Sequence, residues 1–468
     1  STPGVERMDY ISQLPPDLLI PIILLVLDKL HHPGLKITRV EELRLVSRAW
    51  KTIIDSTPLF WTCIVNKPRS SPERIQGWLR KSGEAPLHIY SSSGTEDLEV
   101  FMSLVTPHLH RWRTLDIRNY SGDISTHIKE PAPMLATLNI YLGSLSADIL
   151  VFGGVAPPLS YVSLTMVTVS QNPPFLRNLR YLRLQRMTYR QPDPTLTQLH
   201  EILCNCPDLE KLAIDAVYNP ESSLARRQPV LLAKLSSFSL DELRSPPEIA
   251  EAIFGLIIAP RLALVSLTFT GYFVWRGMNI LSPLSTELLL QHNKYNISIG
   301  DNLIQIKPII EGSGSSVALP RVVVNLPPSG VEGGLALQLM EDVGKTASLS
   351  AVIDVKITYF YPAELIVNYL KSTIERVDGS RGHPLPGLRS IQMGMQLRQY
   401  PFSTWGDLLI DLAQARPDIQ SLKISVTEGS SFFVTSFFKW DRAKVILRRG
   451  RLSDEGAFSR RRAILCNE

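Results

Sequence analysis

A short apolar pattern recurs along most of the 468-residue chain. It has the form Pro-x-[Leu/Ile]-x-x-[Leu/Ile/Val]-x-[Leu/Ile/Met], and its copies begin at Pro133, Pro157, Pro207, Pro260, Pro386 and Pro417. Further copies without the proline begin at Trp112, Leu179 and Leu235. From position 112 to position 262, the first apolar residues of successive copies are 23, 24, 20, 30, 26 and 27 residues apart. Spacing of this length predicts a stack of short structural repeats.

Each copy of the pattern predicts one strand with a single buried side. The last two apolar residues are two positions apart, so they point to the same side of a strand, and the first residue packs beneath them. Neighbouring copies must cover that side, which predicts stacking into a parallel sheet. Apolar residues at helical spacing precede three of the prolines, at 196–203, 249–256 and 408–412. Proline ends each helix, and the chain then turns into the next strand.

The regular spacing of the repeat pattern becomes hard to follow between residues 271 and 361. Val322 and Val324 still fit the pattern, and residues 296–306 alternate like a strand. Glycine and serine at 312–316 predict a loop. The sequence leaves open whether this stretch continues the repeats in degenerate form or holds an inserted sheet.

Residues 14–61 are more apolar than a segment of this length can bury on itself. The spacing of the apolar residues predicts two or three short helices. Thr38, with Glu41 three residues later, forms a capping-box pattern that predicts a helix start at Thr38. Pro21 predicts either a kink in the first helix or a helix that begins at Pro21. Because a segment of about fifty residues keeps much of its surface exposed, part of this apolar surface is expected to contact another protein.

Three blocks in this segment resemble the F-box, the adaptor-binding motif of SCF-type ubiquitin ligases. They are LPPDLL at 14–19 with the Ile22 and Ile23 pair, VSRAW at 46–50, and LFW at 59–61. The resemblance implies that the chain binds a Skp-type adaptor and, through it, a cullin. The residues that it assigns to adaptor binding are Leu14, Pro15, Leu18, Ile22, Ile23, Val46, Trp50, Leu59 and Trp61. Some of these side chains are expected to belong to the internal core instead.

The next segment extends the resemblance. Ile75, Trp78 and Leu79 share one face of a predicted helix whose end is marked by Gly83. Residues 78–89 are similar to the segment that follows the F-box in many fungal F-box proteins. There a helix leads to the first strand of the next domain.

The repeat region resembles the irregular leucine-rich-repeat-like domains of fungal F-box proteins. Regular repeats carry Asn or Cys three residues after the last strand leucine, and here those positions hold Tyr120, Gly143, Val167, Met187 and Val217. The fold class implied is α/β, an N-terminal all-α F-box followed by an irregular α/β solenoid. The expected boundaries are 8–61 for the F-box, 62–95 for a connecting helix and first strand, 96–440 for the solenoid, and 441–468 for a basic tail.

The formal net charge of +5 is carried by the C-terminal segment. Between residues 441 and 462 there are eight basic and three acidic residues, and the rest of the chain balances at 41 of each sign. No basic face is required of the folded part, so nucleic-acid binding is not expected. The arginine-rich end is either a solvated tail, a nuclear import signal or a contact for an acidic partner.

Cysteine content and hydropathy indicate a reducing compartment. The cysteines are too few and too scattered for a disulfide framework, at Cys63, Cys204, Cys206 and Cys466. The apolar run at 18–27 has about half the length that a membrane span needs, so no membrane contact is expected. We expect a cytoplasmic protein, a nuclear protein or both.

The sequence contains no catalytic, metal-binding or cofactor-binding pattern, so we expect no enzymatic activity and no cofactor. Cys204 and Cys206, with His200 nearby, lack the second pair of ligands that a zinc site requires, and both are predicted to be buried core residues. The glycines at 330–334 are not followed by the Lys-Ser/Thr of a phosphate loop.

Two functions of different class remain. In the first, the F-box binds the adaptor and the repeats present a protein substrate for ubiquitin transfer. In the second, the chain is a solenoid hydrolase or nucleic-acid-binding protein whose N-terminal helices form a cap. For the first function, the open side of the sheet is the expected substrate surface. Tyr141, Tyr161 and Tyr181, with Arg183, either form one patch there or are tolerated on a solvated sheet.

Overall fold

The structure is a computed structural model of the chain. It describes residues 14–30, 32–67, 71–92, 95–118, 122–145, 151–169, 175–185, 188–189, 196–215, 228–241, 247–268, 294–299, 303–308, 321–325, 352–357, 363–375, 381–383, 385, 388–396, 411–412, 414–419, 421–427, 434–441, 444–449 and 461–463. Its internal contacts divide the chain into two units, Ser1–Leu209 and Glu210–Glu468. Both are mixed α/β, which confirms the predicted α/β class.

The first unit combines helices with a parallel sheet. The helices described are α1 Pro16–Asp28, α2 Pro33–Leu43, α3 Arg48–Ser56, α4 Pro72–Lys81, α5 Thr95–Val105 and α6 Leu196–Cys204. The strands described are β1 Cys63–Asn66, β2 Leu87–Ser91, β3 Trp112–Arg118, β4 Thr137–Leu145, β5 Tyr161–Val169, β6 Tyr181–Gln185 and β7 Thr188–Tyr189. Short 3-10 turns lie at Pro58–Trp61, Thr106–Arg111, Ile124–Thr126 and Val151–Gly154.

Strands β1 to β6 pair in chain order, and every pair is parallel. The predicted apolar residues form continuous rows across this sheet. One row joins Leu115, Leu138, Val162 and Leu182, and all four side chains are buried. The strand positions and the buried side that the repeat pattern predicts are therefore confirmed for β3 to β6.

The sequence did not predict a shared bend in β4 and β5. Leu142 and Met166 both have positive φ, 61° and 55°, where a non-glycine residue is uncommon. The buried positions of β4 shift phase across this point, from Leu138 and Ile140 to Gly143 and Leu145. The bend lies where regular repeats carry their turn asparagine, and it lets both strands continue with their apolar side still facing the core.

The N-terminal helices begin at other residues than predicted. Helix α1 begins at Pro16 and contains Pro21, so the predicted start at Pro21 is wrong. Proline suits the first helical position because its missing N–H has no partner there. The predicted start at Thr38 is also wrong, because α2 already begins at Pro33, and the ring nitrogen Nδ1 of His32 accepts a hydrogen bond from the Gly34 amide.

A second cap explains why α2 and α3 are separate helices. Ser47 has extended backbone, and its side chain accepts a hydrogen bond from the Trp50 amide. An N-cap serine of this kind starts a new helix. A new helix therefore begins at Arg48, and the segment holds three helices, the upper of the two predicted numbers.

The helix predicted from Ile75, Trp78 and Leu79 is confirmed as α4, and all three side chains are buried. Gly83 has φ of +52°, a conformation that glycine adopts without strain, and it ends this segment. The first strand of the sheet, however, is β1 and precedes α4. The predicted position of the first strand after the helix is therefore wrong. Helix α5 was not predicted at all.

The second unit contains a mixed sheet. The described helices are α7 Pro247–Gly255 and α8 Ala363–Lys371. The described strands are β8 Lys211–Asp215, β9 Val230–Leu231, β10 Ser237–Asp241, β11 Ile257–Ile258, β12 Leu264–Thr268, β13 Lys294–Ile299, β14 Leu303–Pro308, β15 Arg321–Asn325, β16 Val352–Ile357, β17 Ile374–Glu375, β18 Arg381–Gly382, β19 Leu388–Gln396, β20 Ser421–Thr427, β21 Val434–Asp441, β22 Lys444–Arg449 and β23 Arg461–Ala463.

Strands β8, β10, β12 and β15 of this unit are parallel and consecutive, and β13, β16, β19 and β20 form a second parallel series. The antiparallel strand β14 lies between β15 and β13. Residues 296–306, predicted as one strand, are divided between the two arms of the β13–β14 hairpin. Strands β22 and β23 lie in the segment expected to be a basic tail. The rest of 271–361 lies outside the described residues, as does the rest of 441–468.

Two buried arginines tie neighbouring loops together. In the first unit, Arg111 donates from Nε to the Ala85 carbonyl at 3.0 Å and from Nη2 to Ser82 Oγ at 2.8 Å. In the second unit, Arg416 donates from Nη2 to the Leu385 carbonyl at 3.0 Å. Each guanidinium satisfies backbone groups that would otherwise be buried without partners.

Candidate functional site

The N-terminal helices carry a surface of exposed apolar side chains. We call this surface the apolar face, and its members are Leu18, Ile22, Leu25, Val26, Leu35, Leu45, Val46 and Leu59. Fourteen large apolar side chains are exposed among the described residues, and these eight all lie within residues 18–59. Scattered exposed apolar residues are normal on a protein surface, and their concentration in one short segment makes this segment the candidate interaction site.

The structure places the predicted adaptor-binding residues in different environments. Leu18, Ile22, Val46 and Leu59 belong to the apolar face. Pro15 is exposed, and Leu14 and Trp50 are half-buried. These side chains are accessible to a partner.

Two of the predicted adaptor-binding residues are core residues. Ile23 is buried on the inner side of α1 with Leu19 and Leu27, each four residues away, which is a helical spacing. Trp61 has only 1% of its surface exposed, and its indole Nε1 donates to the Ile54 carbonyl at 2.9 Å. Ile23 and Trp61 therefore belong to the internal core, as was expected for some residues of this set, and neither is exposed for contact with a partner.

A charged cluster fixes Trp61 and links α3 to α4. The Asp55 carboxylate accepts hydrogen bonds from Lys81 Nζ at 2.7 Å and from Arg44 Nη2 at 3.0 Å. The Lys81 ammonium lies 4.1 Å from the centre of the Trp61 ring, within cation–π distance. Burial raises the pKa of Asp55, but the hydrogen bonds from Arg44 and Lys81 outweigh it and leave the pKa below its ordinary value. The carboxylate therefore stays ionised at neutral pH.

The open side of the first unit's sheet carries the predicted substrate-binding residues. In this sheet Tyr161 pairs with Tyr181, and Ser163 pairs with Arg183. The rings of Tyr161 and Tyr181 are stacked, with centres 4.1 Å apart and planes at 8°. Two causes raise the pKa of Tyr161 to about 12. Burial is the larger one, and the neighbouring Tyr181 is the next. The structure thus brings these two tyrosines together in a neutral aromatic pair.

Tyr141 does not join this pair. It pairs with Thr165, four residues along β5 from Tyr161, which is about 13 Å at the usual rise of a strand. The three tyrosines therefore occupy two places on the sheet. Successive repeats put side chains side by side only when they hold the same position within the repeat, and Tyr141 holds a different one.

Polar side chains surround the tyrosine pair. Arg183 donates from Nε to Gln185 on the same strand. On β3, Asp116 accepts from Arg118 Nε at 3.0 Å and from Asn139 Nδ2 of β4 at 3.0 Å. The open side is therefore polar with both signs of charge, as predicted, and Tyr161 and Tyr181 form a stacked aromatic pair within it.

The two neighbouring cysteines of α6 and the turn after it lie in different environments. Cys206 is buried as predicted, but Cys204 is exposed at the end of α6, because Leu203 is the residue that faces the core there. Its Sγ lies 3.7 Å from His200 Nδ1. No group of three or more His, Cys, Asp or Glu side chains in the described part of the chain could hold a metal ion. Among the helices described there, none is long and apolar enough to span a bilayer.

Sequence reasoning missed half of the apolar face. Leu25, Val26, Leu35 and Leu45 were not predicted, although Leu45 has 85% of its surface exposed. Their signal is the same apolar excess that identified residues 14–61. The packing of the helices decides which of these apolar side chains point outward. The spacing of the residues alone does not determine it.

Comparison with known proteins assigns the chain to no family. No protein-family model matches the chain, and no curated protein matches it.

Proposed function

We propose that the chain is the substrate-recognition subunit of an SCF-type ubiquitin ligase. In this proposal the N-terminal helices are an F-box that binds a Skp-type adaptor and, through it, a cullin. The sheet that follows binds a protein substrate, and the chain itself performs no chemistry.

The apolar face is the observation that carries the proposal. Leu18 and Ile22 lie one helical turn apart on α1, and both are about half exposed, at 54% and 47%. These exposed leucine and isoleucine side chains lose their contact with water only when a partner covers them. Full burial of one such side chain contributes about 1.5–3 kcal/mol to the free energy of association. The face lies on the segment whose blocks resemble an F-box. A helical cap on a hydrolase or nucleic-acid-binding solenoid would have no need to expose it.

Replacement of Leu18 and Ile22 together by Asp is expected to lower the affinity for a Skp-type adaptor by at least about 100-fold. A charge at the centre of an apolar interface loses its hydration without gaining a partner. Both side chains are substantially exposed in the free chain, so the fold should be retained. Binding is measured by calorimetry with purified adaptor.

The matched control is Val100→Asp on α5, which exchanges an equally exposed valine outside the apolar face for the same charge. It should bind the adaptor as the unchanged chain does. Undiminished adaptor binding by the Leu18→Asp, Ile22→Asp variant, or no binding by the unchanged chain, would refute the F-box proposal.

Within this proposal, the tyrosine pair anchors the protein substrate. Tyrosine supplies large contact area at a low cost in conformational entropy and is enriched at interface hot spots. Tyr161 and Tyr181 are stacked and half-buried, so they are already ordered before a substrate arrives. Arg183 lies two residues from Tyr181 on β6 and provides a charged donor at the edge of the tyrosine pair.

Replacement of Tyr161 and Tyr181 by Ser is expected to reduce ubiquitylation of the substrate at least tenfold while adaptor binding stays unchanged, because the anchor is lost and the helices are not touched. The control is Tyr141→Ser, which removes an exposed tyrosine at another place on the same sheet. Ubiquitylation by the reconstituted ligase is the readout. Equal loss in both variants, or loss in neither, places the substrate site elsewhere.

A further inference from the structure

A cavity of about 190 Å³ lies where the N-terminal helices meet the first two strands of the sheet. Its apolar wall comes from α1, α2 and the 3-10 turn, through Leu24, Leu27, Ile37 and Phe60 among others. An apolar cavity of about 150 Å³ is large enough to bind benzene. This cavity therefore has room for one aromatic ring and a small substituent.

The opposite wall is polar and comes from the strands. His88 and Tyr90 are two residues apart on β2, so they share the side of the strand that faces the helices, and Cys63 pairs with His88 on β1. The Nδ1 atom of His88 lies 2.9 Å from Thr114 Oγ1, which leaves Nε2 as the ring nitrogen available to a ligand. Tyr90 adds a phenolic hydroxyl. A small-molecule site usually combines apolar walls with a few convergent polar groups, and this cavity has both kinds of lining.

The charges around the cavity favour an uncharged occupant. Burial lowers the pKa of His88, so its imidazole is neutral at neutral pH, and burial raises the pKa of Tyr90 to about 12. Lys36, the cation of the wall, forms an ion pair with Asp28 at 3.1 Å, so its charge is balanced. An anion would have to displace Asp28 from Lys36, and a cation would meet no unpaired carboxylate.

The thiol in the wall does not suggest covalent chemistry. Burial raises the pKa of Cys63 to about 12, and its Sγ lies 3.7 Å from the Pro33 carbonyl oxygen. A protonated, buried thiol is a poor nucleophile, so an occupant would be held by non-covalent contacts.

We propose that this cavity is a binding site for a small, uncharged aromatic molecule with one hydrogen-bonding group. The ring packs between the leucine residues of α1 and the phenyl ring of Phe60. The polar group meets His88 and Tyr90. This inference stands independently of the proposed adaptor binding, because Leu59 is the one residue of the cavity wall that also belongs to the apolar face.

Titration of the full chain with phenol, benzamide and benzoate tests the proposal by ligand-observed NMR. Benzamide and benzoate have nearly the same shape and differ in charge. Phenol and benzamide are expected to bind with dissociation constants below about 1 mM, and benzoate at least tenfold more weakly. Benzoate binding as tightly as benzamide would overturn the selection for an uncharged molecule, and no saturable binding of either neutral probe would overturn the site.

Two substitutions on the same helix locate the bound probe. Leu24→Trp fills the cavity from its half-buried position in the wall and should abolish binding. Leu25→Trp adds the same side chain at the neighbouring exposed position, which is not part of the wall, and should leave binding unchanged. Binding that survives Leu24→Trp at full strength would show that the probe lies elsewhere and would refute the assignment.

Tyr90→Phe provides a second variant that keeps the ring and the strand. It removes only the hydroxyl, so the affinity for benzamide should fall roughly fivefold, the effect of one neutral hydrogen bond. An unchanged affinity would remove Tyr90 from the site. Because the substitution is nearly isosteric, loss of fold does not confuse this result.

Discussion

Trp61→Ala is expected to destabilise the N-terminal helices by about 3–5 kcal/mol, the usual cost of deleting a fully buried tryptophan. The indole is 1% exposed and donates to the Ile54 carbonyl at 2.9 Å. Its removal leaves a cavity, takes away one of the two hydrogen bonds that the Ile54 carbonyl accepts, and leaves the Lys81 ammonium without its aromatic partner. Hydrogen exchange of peptides spanning residues 48–66 measures the local loss of protection without requiring that the two units unfold together.

Trp50→Ala is the matched control for this prediction. Trp50 is the same residue type in the same segment, but it is only half-buried. Its truncation should cost clearly less than that of Trp61. If both substitutions cost the same, or if Trp61→Ala costs less than about 1 kcal/mol, the placement of Trp61 in the core is wrong.

The tryptophan variants do not separate loss of fold from loss of adaptor binding. Both tryptophans belong to the blocks that resemble an F-box, so loss of adaptor binding in either variant has two possible causes. With Trp61 the physical cause is loss of the helices that display the apolar face. Leu18 and Ile22 are therefore better positions for a test of adaptor binding, because they contribute little to the core.

Arg416→Met is expected to destabilise the second unit by about 3 kcal/mol, since a buried charged hydrogen-bond network loses its donor. The guanidinium is fully buried and forms a two-point ion pair with Asp418, at 2.8 Å from Nε and 2.6 Å from Nη2. It also donates to the Leu385 carbonyl at 3.0 Å. Methionine replaces the aliphatic part of the side chain and has no donor, so the loss reports on the ion pair and the hydrogen bonds together.

Arg381→Met is the control for Arg416, because Arg381 is an exposed arginine of the same unit. It should change stability by no more than about 0.5 kcal/mol. Urea unfolding followed by circular dichroism, with hydrogen exchange around residues 363–375, reports on both variants. Equal and small effects would contradict the buried network around Arg416.

Much of the fold follows from local patterns. Leu115 and Ile117 of β3, and their counterparts in β4 to β6, were predicted as buried strand positions from spacing alone. Helix α4 was predicted with its buried residues and its terminal glycine. These predictions succeed because a period of two or of 3.6 residues is set by backbone geometry and needs no knowledge of neighbouring elements.

Other features depended on competition between local signals. The capping-box pattern at Thr38 does not start α2, because His32 caps the helix instead and its ring accepts a hydrogen bond from the Gly34 amide. The Thr38 hydroxyl donates to the Gly34 carbonyl at 2.8 Å. Helix α5 was not predicted, although Ser93 and Glu96 stand at the spacing of a capping box before its apolar residues. The positive φ of Leu142 and Met166 has no signature in the sequence, since these residue types do not favour that conformation.

The sequence by itself determined that residues 14–61 carry more apolar surface than they can bury and that the later repeats pair as parallel strands. Only the tertiary structure decided which apolar side chains point outward, separating Leu18 and Ile22 from Ile23 and Trp61, and which tyrosines meet, joining Tyr161 to Tyr181 and excluding Tyr141. Composition and spacing limit how much surface an element must bury. The angle at which elements pack, and the register between strands, decide which atoms come into contact.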